Sequence, residues 1–568
     1  MRHIFVILLL SIIFSLEMLS SGWITQEGLI LRGVNRTDGI WNIGLIQELK
    51  YHFPPEHPGF AGLQLKGYHF LFHILVAVVS IATFIPVMFL YFQVFPLIIS
   101  FLWGFGVFKT VVFLTKNTRA AYISTIMSFF GGSLAFILHF IGQKQLSIDS
   151  GLGMAQPYGS SMQNPAYASS IVLVIWSLYC LLLYTSTKQK KWLVLVVIFS
   201  GLSIGFKAYA GMILMGSLLV TALTQVVFEK KFDLFLAFVA ALIISVSVFY
   251  PFNADYGFLV YAPFLNIIRM IEGPLNFTTW DELFHIQRTI HNYFGMTKLF
   301  TLVFLIFTLG NLGTRLVGVF GFFPATRKLS ITVKMYILSL IGIAFIIPFF
   351  FIQPAGGSFN ITQMHWYFLF LFSIFTGPGL VYILKSIKNS VLRYIVVLIF
   401  IGFTFPTSLL VLLSNMSTGQ VVISRGELEH MNVLSKYGTY DDTTLEIPNV
   451  SSFQQKDLEA WFWKESNVII PALGLKRVFV SNEVVIFPYE ERIARYEAYT
   501  LFDEAAEACS GIKKSFECDR LSDRFVLYVQ TQNIKLLYVE KPTMMFDHSK
   551  LKLLAHNEKA TIYEVLPL

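Results

Sequence analysis

Long apolar runs recur along most of the chain, separated by short polar turns. They fall near residues 88–114, 120–141, 166–186, 192–206, 208–226, 233–250, 298–320, 331–353, 366–384 and 391–413. A hydrocarbon core about 30 Å thick is crossed by roughly 20 apolar residues in a helix, so each run predicts a spanning helix. An N-terminal run over 4–16 follows Arg2 and is either a cleaved signal peptide or a retained first helix. A further apolar stretch at 68–84 would invert every later loop if it crossed.

After residue 413 the pattern changes. Charges become frequent, as at Asp441-Asp442 and Glu490-Glu491-Arg492. Strand-like runs occur at 477–480, 484–487, 525–529, 535–539 and 561–565, and helical patterns at 427–436 and 491–508. The expected architecture is a polytopic α-helical membrane domain over 1–414, with about eleven spanning helices plus interfacial ones. A soluble α/β domain over 415–568 follows.

Composition agrees with a membrane class. Of 568 residues, 55% are hydrophobic and 13% charged, whereas soluble domains average about 25% charged. Soluble, disordered, collagenous, coiled-coil and disulfide-scaffold classes are excluded. The net charge of +8 does not point to nucleic acid, because no basic patch with interleaved aromatics accompanies it. Cations instead mark the cytoplasmic loops. With 68–84 interfacial or re-entrant, alternate loops carry Lys116 and Arg119, then Lys188, Lys190 and Lys191, then Lys230 and Lys231. Arg315, Arg327 and Lys328, and finally Lys385, Lys388 and Arg393, continue the series. The intervening loops are poor in cations, which places 23–87, 142–165, 251–297, 354–365 and everything after 413 outside. Of three cysteines, Cys180 sits in an apolar run, so only Cys509 and Cys518 can pair; bridged and free thiols are both open at this point.

The outer loop 23–87 holds most of the candidate chemistry. Asp38 precedes an amphipathic stretch from Trp41 to Leu49, suited to lying on a membrane surface. Pro54-Pro55-Glu56-His57-Pro58 forces an extended turn, and Tyr68-His69-Phe70 opens the next apolar segment. An Asp at this place is either a helix N-cap or a base for an acceptor hydroxyl. Lys207 interrupts two apolar runs in Gly205-Phe206-Lys207-Ala208-Tyr209-Ala210-Gly211. An ammonium at that depth either snorkels or meets an anion.

The loop resembles the first extracytoplasmic loop of the GT-C superfamily of membrane glycosyltransferases, such as the protein O-mannosyltransferases and the aminoarabinose transferases of lipid A. It is most similar to a bacterial branch with the form D-x-x-W-H…F-P-P-E-x-P-x-F-A-G…Y-H-F. Asp38, Trp41, Phe53, Pro54, Pro55, Glu56, Pro58, Phe60, Ala61, Gly62, Tyr68, His69 and Phe70 match it. The chain departs at Asn42, where His is common, and at His73, where an acidic residue is common.

The resemblance implies transfer of a sugar from a polyprenyl-phosphate carrier to a cell-envelope glycan, lipid or protein on the outer face of the plasma membrane, with inversion. Asp38 would be the catalytic carboxylate, and Lys207 and Tyr209 the donor-phosphate contacts. Glu56, His57, His69, Asp149, Arg269, Gln363 and His365 are candidates for the donor or acceptor cleft. His52, His57 and His69 lack metal-ligand spacing, and the resembling branches mostly act without a metal, so no cofactor is expected, with a divalent metal kept as the less favoured alternative. Five sequons, at Asn35, Asn276, Asn360, Asn415 and Asn449, match chance frequency. The absence of G-x-x-x-x-G-K-[ST] and G-x-S-x-G leaves an ATPase or serine hydrolase unsupported. Two other classes stay open. A secondary transporter or lipid-linked-oligosaccharide flippase would show inverted repeats and buried mid-membrane charges. A non-catalytic polymer-binding relative would fit the departures at 42 and 73.

Overall fold

The computed structural model describes residues 2–137, 161–253, 259–272, 280–353, 360–417, 420–449, 468–480, 489–509, 516–540 and 548–567. Two compact units emerge. A membrane unit comprises Met1–Leu19, Tyr68–Phe72 and Gln93–Thr418; an α/β unit comprises Ser20–Gly67, His73–Phe92 and Gly419–Leu568.

Among the described residues, eight helices are long and apolar enough to cross a membrane: Val87–Thr115, Pro165–Thr187, Ala208–Glu229, Asp233–Asn253, Tyr293–Thr326, Ile331–Phe350, Asn360–Ser386 and Ser390–Ser417. This is a multi-pass membrane protein. Arg2–Phe14 and Leu71–Thr83 are apolar but only 13 residues each, about 20 Å of helix, short of a crossing. That length suits the treatment of 68–84 as non-spanning. The run read at 120–141 is helical over Thr118–Phe130, with residues past 137 outside the described set, and 192–206 lies in Lys190–Phe206, 17 residues long.

Within the membrane unit the two kinds of loop separate to opposite ends. Turns bearing Lys116, Lys188, Arg327, Lys328 and Lys385 meet around one cavity, which also holds the start of Ile331–Phe350. At the far end of that helix, Phe351–Ile352 pairs antiparallel with Val260–Tyr261. Arg315 is a correction to the loop-charge reading. It is fully buried in the continuous segment Tyr293–Thr326, not in a loop. Its guanidinium donates to Ser373 Oγ at 3.0 Å and to the carbonyls of Gly132 (3.3 Å), Asn311 (3.4 Å) and Gly131. In hydrocarbon an unsatisfied carbonyl costs several kcal/mol. Arg315 and the backbone at the end of Thr118–Phe130 satisfy one another.

The α/β unit is built on a five-stranded sheet. Its order is Leu551–His556, Thr561–Val565, Ile534–Val539, Thr443–Ile447 and Arg477–Val478, with the last three mutually parallel. Side chains alternate across a strand, and Ile534–Val539 uses both faces. Leu537 and Val539 enter a core with Phe502, Phe525 and Val526, while Leu536 and Tyr538 enter one with Met431, Leu434 and Ile562. Helices therefore cover both faces. Arg425–Lys436 starts with a capping box, Ser424 against Glu427, which satisfies two amides at once. The run read as a strand at 525–529 is instead part of the helix Phe516–Thr531. Its buried residues Cys518, Ser522, Phe525, Val526 and Val529 follow helical spacing, and that tertiary face overrides the β-branched run. The strand read at 484–487 lies outside the described residues.

Sequence reading kept the outer loop with the membrane part and divided the chain at 414/415. Contacts instead group residues 20–67 with the C-terminal part. Gly28–Leu31 pairs antiparallel with Gln420–Ser424, and Phe60 is fully buried in the core of the five-stranded sheet.

Cys509 and Cys518 form a disulfide, nine residues apart, while Cys180 is a free buried thiol. Closing so short a loop stabilises by about 2–3 kcal/mol in the chain-entropy account. Alkylation of the purified protein is expected to label both cysteines only after reduction, and Cys509→Ser/Cys518→Ser should lower the denaturant midpoint. Full labelling without reductant would remove the bridge.

Candidate active site

Asp38 opens the helix Asp38–Tyr51 in the α/β unit. Thr37 holds the N-cap position, and its hydroxyl donates to Asp38 Oδ1 at 3.4 Å. Asp38 is exposed at the first turn, where the helix dipole favours a carboxylate. The helix itself is not laid on a surface as the amphipathic reading expected: Gly39 through Ile46 and Glu48 are all buried in protein. Gly44 has no room for a side chain, since a Cβ would stand 2.8 Å from Val468 Cγ1.

Beneath Asp38 a polar seam runs inward. The Asn42 amide donates to the Asp38 carbonyl at 2.6 Å and to Tyr91 Oη at 3.0 Å. Those bonds fix the amide, so its oxygen faces His73 Nε2 at 2.6 Å and the imidazole carries the proton there. The two positions that depart from the resembled pattern are thus hydrogen-bonded partners. Trp41 stands between His73 and His57, with ring centroids 6.4 and 6.2 Å away. His57 is buried and accepts from the Gly59 amide through Nδ1 at 3.0 Å.

The other end of the helix is anchored by Glu48. Its carboxylate accepts from the Glu56 amide at 3.1 Å and from Tyr440, and lies 3.1 Å from His52 Nδ1. His52 Nε2 reaches Asp441 at 2.9 Å, and Arg477 pairs with Glu56 and, at 3.7 Å, with Asp441. Glu56 also accepts from the Gly62 amide at 2.6 Å. Both its oxygens are engaged in holding the hairpin, which makes it a positioning group. The sequence gives Tyr440, Asp441 and Arg477 no role at this site, because they lie roughly 400 residues downstream of the helix they hold.

In the membrane unit, Lys207 is the single extended residue joining Lys190–Phe206 to Ala208–Thr224. It is 6% exposed, with Nζ 6.0 Å from the Tyr209 ring centroid. So tight a junction needs Gly211, where a Cβ would stand 2.5 Å from Ile204. The buried Tyr209 donates its hydroxyl to Gln353. Gln363 begins a long helix, with Oε1 buried and without a hydrogen-bond partner among the described residues. One turn further on, Tyr367 stands 4.9 Å from Tyr167. His365 is a core residue: it is fully buried, its ring lies 4.8 Å from that of Phe349, and Nε2 donates to the Phe345 carbonyl at 3.1 Å. His69 stacks on Tyr68 at 4.6 Å, and Arg269 is exposed at the end of Leu265–Glu272. Asp149 lies outside the described residues. Glu272, Asp281 and His285 place one ligand atom each within 4.8 Å of one another, the only such group among the described residues. Asp281 and His285 already pair at 3.0 Å.

Burial pushes the Glu48 carboxyl above its ordinary 4.5, against the pull of Tyr440, the Glu56 amide, His52 and Arg477. A folded-state pKa raised this way contributes stability fully below pH 4.5, and that contribution is lost as pH rises through the folded value. Glu48→Gln, neutral at every pH, is expected to flatten this decline when full-length protein is unfolded in detergent between pH 4 and 8. A variant profile parallel to the wild type would exclude Glu48 as its source.

No protein-family profile matches the chain, and no curated protein matches it in sequence. Its fold does match solved structures. The arabinofuranosyltransferase AftD from Mycobacteria aligns with a TM-score of 0.55 at 12% identity, covering 100% of this chain and 40% of that one. A mutant form of the same protein gives 0.53 at 13%, covering 100% and 42%. The oligosaccharyltransferase of Archaeoglobus fulgidus, solved with Zn and sulfate, gives 0.51 at 14%, covering 94% and 68%. At these identities the likeness is one of fold. The chain shares with them a polytopic fold of helices long and apolar enough to cross a membrane.

Proposed function

We propose that this protein is a membrane glycosyltransferase that moves a sugar from a polyprenyl-phosphate carrier to a cell-envelope acceptor outside the cell. The observation that carries the proposal is Lys207, a cation 6% exposed at a break between two membrane helices. It lies at the end of the membrane unit where loops are poor in cations. A lipid-linked phosphate is an anion held at that depth, and an ammonium beside it would offset its charge. The fold shared with an arabinofuranosyltransferase and an oligosaccharyltransferase supports the same class.

In the proposed reaction an acceptor hydroxyl attacks the anomeric carbon as the bond to the carrier phosphate breaks, with inversion. Its proton passes to Asp38, and the polyprenyl phosphate leaves. General-base help of this kind contributes about 10²–10⁴-fold. Lys207 would stabilise charge developing on the departing phosphate, aided by Tyr209, in a site with little water to screen it.

The test is sugar release from synthetic polyprenyl-phosphate donors by purified protein. Asp38→Asn should leave donor binding intact and cut transfer by about 10²-fold or more. Lys207→Met should weaken donor binding as well as turnover. Near wild-type transfer by Asp38→Asn would make Asp38 a helix-end carboxylate only. Solute flux in proteoliposomes with no turnover on any donor would favour a transporter. For sidedness, a reporter fluorescent only in cytoplasm and fused at Leu568 is expected to stay dark. A bright fusion would reverse the inside and outside assignments.

A further inference from the structure

A second site lies at the opposite end of the membrane unit. A cavity of about 690 Å³ opens between the ends of Val87–Thr115, Pro165–Thr187, Ala208–Glu229, Ile331–Phe350 and Asn360–Ser386. Ala208–Glu229 connects the Lys207 break to this cavity through 22 residues, about 33 Å of helix, so it belongs to the other leaflet. The rim carries Lys116, Lys188, Arg327, Lys328 and Lys385, against one carboxylate, Glu229. Five cations less one carboxylate leave a formal charge of +4. Glu229 accepts the Thr332 hydroxyl, and among the described residues none of the five cations makes an ion pair.

The placement of the cations separates this cavity from an ordinary cytoplasmic surplus of lysine. Lys190, Lys191, Lys388 and Arg393 serve that surplus equally well but do not line it. Below the cations the wall turns apolar, with Leu182, Val333 and Pro378. A free phosphate would leave that wall empty, whereas a phospholipid fills both parts. Basic pockets between membrane helices on the cytoplasmic side are suited to anionic headgroups.

We infer that this cavity binds an anionic phospholipid, its phosphate at the lysine–arginine rim and its acyl chains along the apolar wall. The test is native mass spectrometry and thermal unfolding of the full-length protein in detergent, titrated with phosphatidylglycerol, phosphatidylcholine or inorganic phosphate. Phosphatidylglycerol is expected to stay bound and raise the midpoint, and phosphatidylcholine to do neither. Lys116→Gln/Lys188→Gln/Lys385→Gln should weaken phosphatidylglycerol binding about tenfold or more, while Lys190→Gln/Lys191→Gln/Lys388→Gln should leave it unchanged. Equal loss in both triple variants would overturn the inference, because bulk charge would then explain it. So would equal binding of the two lipids, or displacement of phosphatidylglycerol by millimolar inorganic phosphate, which would indicate a soluble phosphate site. If the first triple variant does not fold, the lipid comparison on the wild type decides alone.

Discussion

Glu48 is the interaction on which the arrangement of the α/β unit rests. A carboxylate removed from water is tolerable only where its lone pairs are met. The Glu56 amide, Tyr440 and His52 meet them. Glu56 belongs to the hairpin after the helix, and Tyr440 lies nearly 400 residues downstream. The helix Asp38–Tyr51 can bury Glu48 only once hairpin and C-terminal part are in place. Asp38, at the other end of that rigid helix, takes its position from the same bonds.

The membrane unit answers a different constraint. Hydrocarbon offers no water to a broken helix, so each break must be closed by protein. Arg315 closes one, donating to carbonyls that Gly131 and Gly132 leave open. Lys207 sits at another break, its Nζ 6.0 Å from the Tyr209 ring centroid. Both cations are buried where a helix is interrupted, Arg315 fully and Lys207 at 6% exposure.

Local signals made the membrane architecture legible in the sequence. Apolar runs gave the spanning segments, and the strands at 535–539 and 561–565 followed from alternation. Non-local facts were not legible. Arg315 looked like a loop cation because hydropathy cannot separate a short polar turn from a buried break in one long helix. The 525–529 run looked like a strand because its helical spacing emerges only with Cys518 and Ser522 included. The grouping of residues 20–67 with the C-terminal part rests on strand pairing and ion pairs across hundreds of residues, which no window can see. Of the candidate site, the loop motif drew attention to Asp38 and the helix break to Lys207. The same motif could not distinguish Glu56, held from both sides, or His365, packed among phenylalanines, from groups open to a substrate.

The departures at 42 and 73 gain a meaning from the fold. As sequence they read as two losses from the GT-C loop pattern, and they motivated a non-catalytic alternative. In the structure they are one hydrogen bond, His73 Nε2 to Asn42 Oδ1 at 2.6 Å. Where the pattern has an imidazole at 42 and a carboxylate at 73, this chain has an amide at 42 and an imidazole at 73. An imidazole N–H donating to an oxygen is available in both arrangements, with donor and acceptor exchanged between positions. The exchange also removes a charge from a place where His73 is fully buried and Asn42 nearly so, and a buried charge is the costlier choice. The neutral pair ties the helix Asp38–Tyr51 to His73. The two departures thus share one structural role, a neutral buried hydrogen bond, which the fold would use with or without a catalytic site above it.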